Sequence, residues 1–336
     1  MMSPADDVIS TLAHTAAPAL AQGHHQWWRK WQGRVGAHEA PLREPAADER
    51  AACDAAGVTH VMDSFGGVRV GCRLTEPAGG EPVGGVVVLH GGETTGPILR
   101  KSPWADAGLT SLRLRVRGFE GSTFDTGNLC GAGGGWITQG LGDPETSALI
   151  GAIADVALAV RALQERVGGK PVSIRGDSLG GGLAVLAAAN QLEDAPVSRL
   201  AIGLPSLGDW TARLLAPSAS GTGADAAKVL RSSEDGRDAM RRTLRLADAV
   251  AHARRVSCPV LCLLAAEDPV VPPAAAAAIF NALGSDPGHK KRVMVPRGHE
   301  SLATDELRQY AAFDELAMRF IHPHTDPLAC LCEGGG

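Results

Sequence analysis

The segment Val172-Ser173-Ile174-Arg175-Gly176-Asp177-Ser178-Leu179-Gly180-Gly181-Gly182 constrains the fold more than any other stretch of this chain. Its β-branched residues favour an extended strand, and the continuation from Leu183 to Ala189, rich in alanine, favours a helix. Gly176 and Gly180 flank Ser178 in a Gly-x-Ser-x-Gly pattern that therefore falls on a strand-to-helix turn. Such a turn strains the backbone of its serine and needs small residues two positions before and after it, so that strand and helix approach without collision. The expectation is a sheet whose strands feed helices, with Ser178 at one edge.

The remaining patterning agrees. Val83 to Leu89 is an almost uninterrupted apolar run, as in a strand buried on both faces of a parallel sheet, and it ends in His90-Gly91-Gly92. Further strands are expected at Leu112–Val116, Leu200–Pro205, Val260–Leu264 and Lys291–Val295, with a hairpin over Val58–Met62 and Val68–Leu74. Asp143-Pro144 predicts the start of a long helix from Thr146 to Val167, with Asp143 as its cap. Strands alternating with helices, without an internal repeat, predict an α/β chain with one doubly wound, mostly parallel sheet over residues 58–322. Residues 1–57 read as an N-terminal helical extension, packed on the main domain through Trp27, Trp28 and Trp31. Residues 208–254 read as a helical insertion that covers a site, the glycine-rich stretch Asn128–Gly142 as a loop wrapping it, and residues 323–336 as a flexible tail.

Composition narrows the functions open to such a fold. With 336 residues, 44% hydrophobic and 21% charged, the chain can bury a large core, and its net charge of −5 speaks against a nucleic-acid surface. No apolar run reaches membrane-spanning length and the first residues lack the features of a secretory signal, so the expected location is the cytoplasm. Seven cysteines, an odd number without framework spacing, read as reduced thiols. Neither Cys258 with Cys262 nor Cys330 with Cys332 has histidines at zinc-ligand spacing, so no metal and no cofactor is expected.

Two strands after Ser178, Leu264 leads into Glu267-Asp268-Pro269, and the final strand leads into Gly298-His299-Glu300. Ser178, Asp268 and His299 thus follow three strands in the order of an α/β-hydrolase triad. A serine hydroxyl is a weak nucleophile at neutral pH; a neighbouring imidazole makes it effective by taking its proton, and a carboxylate fixes the tautomer of that imidazole. Glu267 competes with Asp268 for the carboxylate role, and Asp177 is set aside because its side chain should diverge from that of Ser178. The backbone N–H groups of Leu179 and Gly92, with Gly91 as the next choice, are the expected oxyanion donors. His90 is expected to shape that loop, Arg117 to support the triad from behind, and Phe119, Trp136 and Pro205 to line the pocket.

These residues together resemble the acetyl xylan esterase and cephalosporin C deacetylase family of α/β-hydrolases. The resemblance rests on His90-Gly91, Arg117-Gly118, Gly176 to Gly181, Gly135 to Leu141 with Asp143-Pro144, the Asp268 loop ending in Pro272-Pro273, and His299-Glu300. It implies removal of small acyl groups, chiefly acetyl, from a sugar or small metabolite through an acyl-enzyme, by a protein that assembles as a homo-oligomer. Phe119 and Leu179 stand where the family usually carries glutamine, and Gly92 where it carries tyrosine, which makes the pocket more apolar. The same acyl-enzyme would serve acyl transfer or thioester cleavage if water were excluded, while a silent binding protein would have no use for all three polar residues.

Overall fold

The computed structural model describes residues 10–92, 98, 102–119, 122, 135–233, 235–300 and 303–332. Helix α1 (His24–Gly36) precedes strand β1 (Leu42–Arg43), helix α2 (Arg50–Ala55) and the hairpin of β2 (His60–Ser64) and β3 (Val68–Thr75). Then come β4 (Gly84–Leu89), α3 (Pro103–Asp106), β5 (Leu109–Leu114), α4 (Ala148–Arg166), β6 (Val172–Asp177), α5 (Leu179–Ala189) and β7 (Val197–Gly203). Helices α6 (Trp210–Leu215), α7 (Gly221–Ser232), α8 (Arg237–Leu246) and α9 (Ala249–Ala253) separate β7 from β8 (Val260–Glu267). The last elements are α10 (Pro273–Ala282), β9 (Lys290–Arg297), α11 (Thr304–Ile321) and α12 (Pro327–Cys332).

The strands form one sheet in the order β1-β2-β3-β5-β4-β6-β7-β8-β9. From β5 to β9 every pairing is parallel, and the hairpin with β1 adds an antiparallel flank. This is an α/β-hydrolase fold. Strand β4 has β5 on one side and β6 on the other, so the chain reverses its winding direction there. Crevices at such switch points, outside the carboxyl ends of the strands, are where open α/β sheets hold ligands. The carboxyl ends of β4 and β6 carry His90-Gly91-Gly92 and Ser178.

Three local expectations need correcting. The N-cap position of α4 is held by Ser147, without a side-chain cap, and not by Asp143, whose Oδ1 accepts from the Glu145 N–H at 3.0 Å in the preceding turn, where Gly140 takes a positive φ of 63°. Residues 1–57 are not purely helical, because β1 pairs with β2 at the sheet edge. The tail is not wholly flexible either: α12 forms, and Cys330 is buried in an apolar cluster with Phe313 and Phe320. Trp28 and Trp31 of α1 are buried, and Trp28 Nε1–H donates to the Leu246 carbonyl at 2.8 Å, tying the N-terminal helix to the end of α8. The part of the expected wrap up to residue 134 and residues 333–336 of the tail lie outside the described residues.

Candidate active site

Strand β6 runs into α5 through a single residue, Ser178, at φ 54° and ψ −113°. That conformation is uncommon for a residue with a side chain and is held by its surroundings. The Ser178 N–H donates to the Gly203 carbonyl at 2.8 Å, and its carbonyl accepts from the Gly182 and Ser206 N–H groups at 3.0 Å each. The flanking glycines are obligatory on steric grounds: a Cβ on Gly176 would lie 2.4 Å from the Gly180 carbonyl oxygen, and one on Gly180 would lie 2.8 Å from Leu89 Cβ.

Asp268 and His299 follow β8 and β9, neighbours in the sheet. The two side chains meet with His299 Nδ1 2.7 Å from Asp268 Oδ2. Asp268 Oδ1 accepts from the N–H groups of Val270 and Val271 at 2.9 and 2.8 Å, so one carboxylate oxygen is fixed by backbone and the other is left for the imidazole. Gly298 permits this approach, since a Cβ there would lie 2.4 Å from Asp268 Oδ2. With Nδ1–H given to a buried carboxylate, His299 presents Nε2 outward. Glu267, the competing carboxylate, is the last residue of β8 and is exposed. Asp177 is engaged elsewhere, its Oδ1 2.6 Å from Arg175 Nη1, and Arg175 also reaches Asp314 at 2.9 Å.

Ser178 and His299 line one cavity of about 680 Å³ together with Gly91, Gly92 and Leu179. Leu179 opens α5, so its N–H is among those that a helix leaves without an internal partner. An ideal Cβ on Gly91 would lie 3.8 Å from Ser178 Cβ, and one on Gly92 3.9 Å from Leu179 Cβ, which sets this turn directly against the serine. His90 is pinned at both nitrogens. Its Nε2 accepts from the Val116 N–H at 3.1 Å, which assigns the proton to Nδ1, 2.7 Å from the Gly91 carbonyl. Burial pushes its pKa down to about 4, so the ring is neutral and acts as a brace for the glycine turn.

Phe119 and Trp136 line the cavity, with ring centroids 5.9 Å apart and Phe119 packed edge-on to His90. Arg117 and Pro205 do not. The Arg117 guanidinium turns away from the triad and makes a two-point contact with buried Asp155 on α4, at 2.8 and 2.6 Å, while donating to the Phe65 carbonyl at 2.9 Å. Its contribution near the cavity is its carbonyl, which accepts from Trp136 Nε1–H at 2.6 Å. Pro205 lies under α5, where a Cβ on Gly181 would meet its Cα at 3.2 Å, and the next residue, Ser206, lines the cavity instead.

Within the helical stretch 208–254, read from the sequence as a cover, α7 lines the cavity with residues that the sequence reading did not single out. Ser220, Thr222, Asp225 and Lys228 all line the cavity. Gly223, Ala226, Ala227 and Leu230 are buried on that helix, so the polar stripe is its opposite face, a signal present in the spacing of the small and apolar residues. Burial raises the pKa of Asp225.

A strained serine at a parallel-sheet switch point, sharing a cavity with a histidine held by a buried aspartate, places the protein among the α/β-hydrolase esterases. Residues 42–315 match the acetyl xylan esterase (AXE1) family, and the chain belongs to that family. It is thus a carboxylic ester hydrolase, a serine esterase that removes acetyl groups from sugars. Among solved structures, acetyl xylan esterase 1 from Thermoanaerobacterium sp. JW/SL YS485 superposes with a TM-score of 0.75 at 20% identity, covering 96% of this chain and 98% of that one. Acetyl xylan esterase from Paenibacillus sp. R4 gives 0.69 at 21% identity, over 91% and 98% of the two chains. The acylaminoacyl peptidase of Pyrococcus horikoshii shares the fold more distantly, at a TM-score of 0.55 and 15% identity, over 81% of this chain and 43% of that one.

Proposed function

We propose that Ser178 is the nucleophile, His299 its general base and Asp268 the carboxylate that orients the imidazole, acting on acetyl esters of small, sugar-like alcohols. The single observation that carries this reading is the 2.7 Å contact between His299 Nδ1 and Asp268 Oδ2, at the rim of the cavity that holds Ser178. Ser178 Oγ attacks the ester carbonyl carbon while its proton passes to His299 Nε2. The charge that develops on the carbonyl oxygen is met by the N–H groups of Leu179 and of Gly92 or Gly91, each such donor being worth roughly 10²–10³ in rate. Collapse breaks the ester C–O bond, and the alcohol leaves with the proton from Nε2. Water, deprotonated by the same imidazole, then attacks the acetyl-serine, releasing acetate and restoring the hydroxyl.

Apolar Phe119, Trp136 and Leu179 near the serine suit a short acyl group and the carbon face of a sugar, and Thr222, Asp225 and Lys228 of α7, whose Asp225 carboxylate lies against Gly135, suit hydroxyls of the leaving alcohol. Among the described residues, Cys53, Cys72, Cys258, Cys262 and Cys330 are free, and all but Cys258 are buried, which fits a reducing compartment; we assign the activity to the cytoplasm.

Hydrolysis of p-nitrophenyl esters from acetyl to octanoyl, by the protein and by Ser178→Ala, tests the proposal. The expected result is the highest kcat/KM on acetate and a loss of about 10⁴–10⁶ in turnover in the variant. Turnover of long-chain esters alone, or activity that survives in Ser178→Ala, would overturn it.

A further inference from the structure

On the far side of α7 from the cavity, helices α6, α7 and α8 enclose a second groove of about 620 Å³. We propose that this groove docks an acidic, amphipathic helix of a partner protein. Its floor is apolar: Trp210 and Leu244 are buried there, with Leu230 from α7 beside them. On its lip, Leu215 is 83% exposed, an apolar side chain left in water at the end of α6. A leucine that moves from water into an apolar contact is stabilised by the loss of hydrated apolar surface, so the lip favours a covering surface.

The rim is basic. Arg237, Arg241 and Arg245 line the groove from α8 at successive four-residue intervals, and Arg231 faces them from α7. Residues four apart lie on one helix face, so the three arginines of α8 form a row about 12 Å long. Among the described residues, little neutralises it. Arg241 has an exposed contact to Asp238 at 3.5 Å, of the kind that contributes little, and Arg237 donates to the Ser233 carbonyl at 2.7 Å. Arg231 and Arg245 are in no ion pair among the described residues. The row stands out against a chain whose net charge is −5.

The combination selects the occupant. A single carboxylate, as on a fatty acid, would meet only one end of the row. A phosphate backbone would match the charges and leave the apolar floor unused, and a flat bilayer would not reach Trp210 at the bottom of a concave surface. A helix with acidic residues four apart beside a stripe of leucines matches the row and the floor together, in the helix-in-groove mode of recognition.

The probe is a synthetic helical peptide of about five turns, with glutamate four apart on one stripe and leucine on the next, and a twin in which lysine replaces glutamate. Fluorescence anisotropy with the full chain should show the acidic peptide binding at least roughly tenfold tighter than its twin, with affinity falling as salt rises. Binding should be lost in Arg241→Glu/Arg245→Glu and in Leu215→Ser while both variants keep wild-type ester hydrolysis, the check that they are folded. Equal affinity for the two peptides, or binding that survives both variants, would overturn the proposal. A wild-type oligomer in sedimentation velocity that Leu215→Ser dissociates would also overturn it, because the groove would then belong to a second copy of this chain. The comparison of the two peptides on wild-type protein needs no variant to fold.

Discussion

Ser178 is held in its unusual conformation by three backbone hydrogen bonds and by glycines on both sides that admit no side chain. A strained residue of this sort costs about 1–3 kcal/mol, which the packing of α5 under β6 offsets. Arg117 contributes stability of a different kind. Its guanidinium neutralises Asp155, which is 0% exposed, and the pair joins the turn after β5 to the middle of α4. Removing one partner of a buried pair leaves a charge without compensation, at a cost of about 3–5 kcal/mol. Arg117→Met should therefore lower the urea midpoint substantially while kcat per folded molecule stays near wild type. Unchanged stability with lost turnover would mean that the side chain serves the reaction directly.

At the scale of elements, the contact between α1 and α9 joins two buried histidines. His24 and His252 have ring centroids 5.0 Å apart, with the Trp28 ring 4.7 Å from His252. Burial, with help from neighbouring His25 and Arg255, lowers the pKa of His24 to about 4, and His252 is also lowered by burial, Arg255 and the two histidines of α1. Both rings are therefore neutral when α1 is docked. The unfolded chain, where a histidine titrates near 6.5, binds more protons than the folded one between about pH 6.5 and 4. Stability contributed by neutral, buried histidines is thus complete above about pH 6.5 and is lost as pH falls toward 4. The melting temperature should drop across this window, and His24→Phe, which keeps a buried ring without a titrating proton, should flatten the drop. A pH dependence identical in the two proteins would remove His24 from the account. The docking surface on α6 to α8 lies at this scale too, since α7 is the wall shared by cavity and groove.

For the molecule as a whole, what the sequence made legible follows from how local each constraint is. The turn at Ser178 was readable because its glycines, its strand and its helix are neighbours in the chain, and Asp268 and His299 because each follows a strand whose apolar run is plain. The direction of Arg117 was not readable. The chain turns at Gly118 with a φ of 82°, and only tertiary packing decides that the guanidinium runs back to α4. Which residues of α7 face the cavity was hidden for a related reason, since a polar helical stripe looks the same whether it faces water or a cavity. Helix α12 depends on burial of Cys330 against residues of α11, a contact that no local pattern announces.

The most direct test of the central claim is intact-protein and peptide mass spectrometry of wild-type protein quenched with acid during turnover of an activated acetyl ester. The account predicts one acetyl group per chain, carried on the peptide that contains Ser178 and absent in Ser178→Ala. Acetylation elsewhere in the chain, or turnover of the ester by the wild type with Ser178 unmodified under every quench, would contradict it.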